Sequence, residues 1–497
     1  MNISEDIIEL DAEIQNRLNI EAKALTKEKY LYERKGPWPQ PSPEHPLGEA
    51  PAVLHLPKKE KSKWRWNIGL RYFRNMITYW PVALAYTFKN PTIDKVSDEE
   101  FNYIMTEESY SKFLHTCIDK DKRDAFAEYM TDENGEYFII DLTLIKHIIP
   151  LKDMYASPTV ALFKTNPKNK KKEVVAILML FNGLVLSPND GKAWELAKYY
   201  TLQGATYKLV LSEHALLHFP FDCINAISKT TLPKDSLLFK LMNPHFEFTL
   251  ALNISVLESP NSPIENHQFM PYSALVGKPE GFRNMLVSGY KGIEGNSCYP
   301  LYQYTLSPRK IHSDYGIFLQ EYFDTFLRFV TKVVKKIPVE EYAQIKLWAR
   351  HISKWIPEFP DEIEICDEKV LARAVTKVIW DVSIAHAADH YNYSTIKINK
   401  VPLRLRVKPP QSKKCDFEQK DLGKFVDIFK YKMIQKLFFK PTNVTLLKNT
   451  QYNFNSSELV TLNQEFLSDL RQTEQKLLNR GIKNFIPLDQ ISRSIQY

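Results

Sequence analysis

The chain of 497 residues carries 66 Lys and Arg against 59 Asp and Glu, a net charge of +7, with 44% hydrophobic and 25% charged residues. This composition excludes a wholly disordered chain, a collagen and a coiled-coil rod, and the length fits several domains or one large core. The mild charge does not call for nucleic acid, though it permits attraction to an anionic surface or substrate. Cys117, Cys223, Cys298, Cys366 and Cys415 are odd in number and form no CxxC pair. That argues against a disulfide framework or a structural zinc site, and for a reducing compartment.

In chain order, MNISEDIIELDAEIQNRLNI is acidic and amphipathic, with Ile7, Ile8, Leu10, Ile14 and Leu18 at a helical period. It lacks the basic and apolar regions of a secretory signal, so a soluble, cytoplasmic protein is expected. GPWPQPSPEHPLGEAP, 36–51, is too Pro-rich for a helix and reads as an extended, wrapping segment. LPKKEKSKWRW, 56–66, is basic with two Trp; it reads as a solvated turn, with peripheral membrane contact as the alternative. Ser97 and Glu100 form a capping box that opens a helix expected to run to about Met130. Strands are expected over Glu136–Ile145, Thr159–Lys164 and Glu173–Leu186, with TNPKNKKKE, 165–173, as a hairpin turn. The longest apolar run, VVAILMLFNGLVL at 174–186, is too short to cross a bilayer. Beyond Pro188, helices are expected over 190–230, 234–243, 311–336, 338–356, 368–395 and 458–480. The fold class is therefore mainly α, with a small β-containing lead-in region.

Among 12 histidines, two pairs are four residues apart, His214/His218 and His386/His390, where random placement gives 493 × (12/497)², about 0.3 pair. Both pairs fall in expected helices. Residues i and i+4 share a helix face, so each pair can grip one ion, and imidazoles suit iron, zinc, copper or nickel.

The second pair sits in Trp380-Asp381-Val382-Ser383-Ile384-Ala385-His386-Ala387-Ala388-Asp389-His390. This resembles the lipoxygenase signature W-x-x-S-x-x-H-A-A-x-[NH]. Upstream, Trp194-Glu195-Leu196-Ala197-Lys198 is similar to that family's W-x-x-A-K segment. HFPFDCINAISKTTLPKDSLLFKLMNPHFEFTLALN, 218–253, is similar to its run through LP, P-H and a closing Asn. LRQTEQKLLNRG, 470–481, and IPLDQISRSIQY, 486–497, resemble its last helix and tail. The resemblance implies a lipoxygenase-like catalytic domain over 81–497, preceded by an N-terminal extension over 1–80 in place of the family's β-barrel. It implies a non-haem dioxygenase with one iron, or manganese, per chain. Its substrates would be O2 and a polyunsaturated fatty acid or another long apolar molecule. The implied ligands are His214, His218, His386, His390 and the carboxylate of Tyr497, where the family usually ends in Ile or Val. The positions that line the implied substrate channel are Val256 and Leu257.

The first helix departs from the family pattern H-x4-H. Aligning back from His245 puts Glu213 and Lys208 on the ligand positions, whereas aligning forward from Trp194 puts His214 and Leu209 there. One residue is missing, which would erase the family's π turn and leave a regular helix. Three outcomes stay open: all four histidines bind; Glu213 or His214 is the sole ligand from this helix, giving an altered oxidase or oxygenase; or the scaffold is non-catalytic and binds a lipid or protein. Asp389 reads as a partner for an imidazole N–H or, at least equally, as a surface carboxylate; Asp381 lies beside the same helix, and Asp222 reads as an ordinary helix carboxylate.

Overall fold

The computed structural model describes residues 31–34, 51–55, 58–253, 275–289, 301–307, 312–354, 356–395, 400–437, 444–482 and 485–496. The helix expected at the N-terminus, the proline-rich segment, Val256, Leu257 and Tyr497 lie outside these residues, apart from Pro51 at the segment's last position.

Strands β1 (Leu31–Arg34) and β2 (Pro51–His55) form an antiparallel pair not anticipated in this region. The basic cluster is not a turn but helix α1 (Lys58–Trp64), continued through a π segment, Arg65–Gly69, into α2 (Leu70–Lys89). Position 80 lies inside α2. The capping box of Ser97 and Glu100 is present and opens α3 (Asp98–Thr106), which stops far short of Met130. The chain then forms the sheet-edge strand β3 (Leu114–His115), and Asp119 caps a new short turn of helix by accepting from Lys122 N at 3.0 Å.

A five-stranded antiparallel meander comes next, in chain order: β3, β4 (Tyr137–Asp141), β5 (Thr159–Thr165), β6 (Lys172–Met179) and β7 (Leu184–Leu186). β4 ends early because the Asp141 carboxylate accepts from Thr143 N and bends the chain. The run at 173–186 is two strands, broken where Gly183 turns at φ 69°, a conformation that favours glycine. The sheet has two apolar faces. Ile139, Val160, Leu162 and Ala176 pack with Ile118 and Phe126 in a small cluster, while Phe138, Ile140, Ala161 and Ile177 face the main core. This is the period-2 alternation of a strand buried on both sides.

The main core lies among helices. Expected helix 190–230 is α4 (Gly191–Lys208), a π segment at Leu209–Glu213, one turn at His214–Leu216, and α5 (Phe219–Thr231). α6 (Asp314–Val334) begins at its Ser313 cap. Expected helix 368–395 is α7 (Glu368–Trp380), a second π segment at Asp381–Ala385, and α8 (His386–Thr395). α9 (Phe425–Leu437) packs against α2, and α10 (Ser457–Asn479) packs against α6.

Candidate metal centre

α4 and α7 run through the core, and each ends in a five-residue π segment directly before a histidine. A π turn inserts one residue into a helix and re-aims the side chains beyond it. Here it delivers His214 and His386 into one cavity. α8 then holds His390 one regular turn past His386. The other side differs, because helix after His214 lasts only to Leu216 and His218 sits in the turn that caps α5, at φ −106°. The expected regular helix carrying His214 and His218 is thus corrected. The π turn is present, and Pro220 at the start of α5 forces the break, since its ring has no N–H to continue the ladder.

The four imidazoles converge, with one nitrogen from each within 4.8 Å of the others. His218 Nε2 lies 3.0 Å from both His214 Nε2 and His386 Nε2. Two adjacent ligands about 2.1 Å from one ion span about 3.0 Å when their bonds meet at a right angle, so the donor set fits a single divalent ion. His218, His386 and His390 are buried, His386 completely.

Asp389, fully buried between His386 and His390 on the chain, is no surface carboxylate. Its oxygens accept from Lys112 Nζ at 2.8 and 3.0 Å and from Tyr315 Oη at 2.5 Å, and one lies 3.6 Å from His214 Nδ1. Burial alone would raise this carboxyl; the Lys112 charge and the His214 ring outweigh it and hold it down to about 2. The same carboxylate, after burial, pushes the Tyr315 hydroxyl well above its ordinary value. An ionised carboxylate beside an imidazole N–H holds the ring in one orientation. Lys112 and Tyr315 carry no signal in the sequence, lying 277 and 74 residues from Asp389.

Other candidates lie apart from the four rings. Glu213 ends the π segment outside the group, and its charge is felt at the Tyr315 hydroxyl. Lys208, which one alignment placed on a ligand position, donates to Asp141 O at 3.2 Å and covers the Phe113 ring. Asp222 lies in the first turn of α5, where a carboxylate suits the helix dipole. Asp381 pairs with Lys377 at 2.8 Å. The tail from Ile491 to Gln496 runs into the interior, with Ile495 and Gln496 fully buried. His245 Nδ1 donates to Arg493 O at 2.7 Å, which leaves Nε2 to accept from Tyr452 Oη at 3.0 Å. Arg493 in turn pairs with Glu247.

No family model and no curated protein matches the sequence. Solved structures do. A coral 8R-lipoxygenase is 15% identical with TM-score 0.73, covering 97% of this chain and 81% of its own. A manganese lipoxygenase is 13% identical with TM-score 0.74, covering 99% and 98%. A lipoxygenase deletion variant, solved anaerobically in complex with arachidonate, is 14% identical with TM-score 0.73, covering 97% and 81%. The chain has the lipoxygenase fold, mainly α with a small antiparallel sheet, at a sequence distance where fold alone is established.

Proposed function

We propose that this protein is a metal-dependent dioxygenase of the lipoxygenase type, which removes hydrogen from a polyunsaturated fatty acid or a similar long apolar molecule and adds O2 to it. The observation that carries this reading is the convergence of His214, His218, His386 and His390 within that fold. These four residues would hold one iron or manganese, and the bound metal supplies one-electron oxidation. The chain's own part is to bind and orient. The π segments aim the rings, Asp389 steadies His214 and balances charge, and Lys112 with Tyr315 keeps Asp389 ionised in the core. The apolar surroundings exclude water. Residues 81–497 form the proposed catalytic domain, with 1–80 as an extension. The arachidonate bound by a structural neighbour supports a long apolar substrate.

Elemental mass spectrometry of the full chain beside His386→Ala tests this. About one iron or manganese per chain is expected in the wild type, lost in the variant. Oxygen uptake with linoleate and arachidonate should track the metal. No stoichiometric metal after purification under reducing, metal-replete conditions rejects the reading.

A further inference from the structure

Residues 58–89 hold eight Lys or Arg and a single acidic residue, Glu60, a balance of +7 that equals the net charge of the whole chain. The rest of the molecule is formally neutral. The same segment is α1, its π turn and α2, and it carries an apolar stripe on its outer side. Trp66, Leu70, Phe73, Ile77, Trp80 and Phe88 are all exposed, Trp66 at 70%, Phe73 at 57% and Phe88 at 71%. Within α2 the spacing of three, four, three and eight puts Leu70, Phe73, Ile77, Trp80 and Phe88 on one face. The inner side is fixed to the body, because Ala83 is buried against Met433 of α9, with Met76, Tyr79 and Phe429 beside them. Exposed Phe425 and Val426 of α9 extend the patch, and Phe88 and Phe425 are in ring contact at 4.9 Å.

We propose that this face docks on an anionic lipid bilayer. Twenty residues of α2 present about 30 Å of helix lying flat. No helix among the described residues is apolar and long enough to cross a membrane, so the segment would lie in the interface. A partner protein of mixed charge would not account for a cluster of one sign. Exposed Lys59, Lys61, Arg65 and Arg74 flank the stripe and reach lipid headgroups, and Trp66 and Trp80 suit the boundary between headgroups and acyl chains. The inference stands on this surface alone and does not rest on the metal centre.

The test is co-sedimentation of the full chain with phosphatidylcholine vesicles, with and without phosphatidylserine, over a range of salt. Wild type should bind the anionic vesicles and release as salt rises. Ile77→Glu and Trp80→Glu should abolish binding while melting temperature and metal content stay unchanged. Lys59→Gln with Lys61→Gln and Arg65→Gln should weaken it about a hundredfold, at roughly fivefold per charge. Absence of wild-type binding to either vesicle overturns the proposal, as does binding that all these variants retain. A wild-type dimer that Trp80→Glu converts to a monomer also overturns it, because the face would then be a contact between copies.

Discussion

Two helices bring histidines to the same cavity by the same entry and different exits. α4 and α7 each loosen into a π segment just before His214 and His386. Beyond that point α8 continues for ten residues and places His390 by regular helix geometry. On the other side helix ends at Leu216, and His218 is placed by a cap. An i, i+4 pair therefore does not require an unbroken helix, and the π turn does the aiming on both sides. The His214/His218 side thus depends more on local chain length, whereas the α8 side depends on what holds Asp389.

His214→Ala breaks this comparison with the largest effect. It removes the ring that follows the π segment and leaves three imidazoles for the ion. Elemental mass spectrometry should find essentially all metal lost from a chain that still melts cooperatively; retained metal would mean that His214 is not a ligand. The α8 side is probed by Lys112→Met. It leaves the fully buried Asp389 without its cation, and breaking such a pair costs about 3 kcal/mol, the low end of the range because Lys112 is about one-fifth exposed. Urea denaturation of the metal-free protein reads this cost, and an unchanged midpoint would remove Asp389 from the account.

His245 sharpens the contrast from outside the centre. It is as buried as His386, but both of its nitrogens are used by Arg493 O and Tyr452 Oη, so none is left to face an ion. Burial, with the Arg493 charge adding to it, lowers its pKa to about 3, against about 6.5 unfolded. The stabilisation is complete above pH 6.5 and is lost as pH falls toward 3. Between pH 7.5 and 5 that amounts to about 2 kcal/mol, which denaturation of wild type should show and His245→Gln should lack.

The histidine pairs were legible because metal chemistry repeats at the helix period, and the sheet because its strands, buried on both faces, are runs rich in Val, Ile, Leu and Phe. The helical body was legible in outline, with its cap at Ser97, whereas the cap at Ser313 was not singled out. The π segments were not, since the missing residue read as the loss of a bulge that the fold retains. Neither were Lys112 and Tyr315, whose roles arise only when distant segments meet. α2 was hidden by Pro81 and by apolar residues on both faces, Ala83 inward and Phe73 and Ile77 outward, which blur a 3.6-residue period.

Asp389 joins α8, the turn at Lys112, α6 and the ring of His214, segments spread over most of the chain. No short fragment contains even half of these partners. Closing loops of this length is slow relative to forming local helix, so α4 and α7 can form early while the cavity between them does not yet exist. The proposed ion-binding geometry is thus a late product of folding, and a nascent chain has no preformed cage with which to trap the wrong metal.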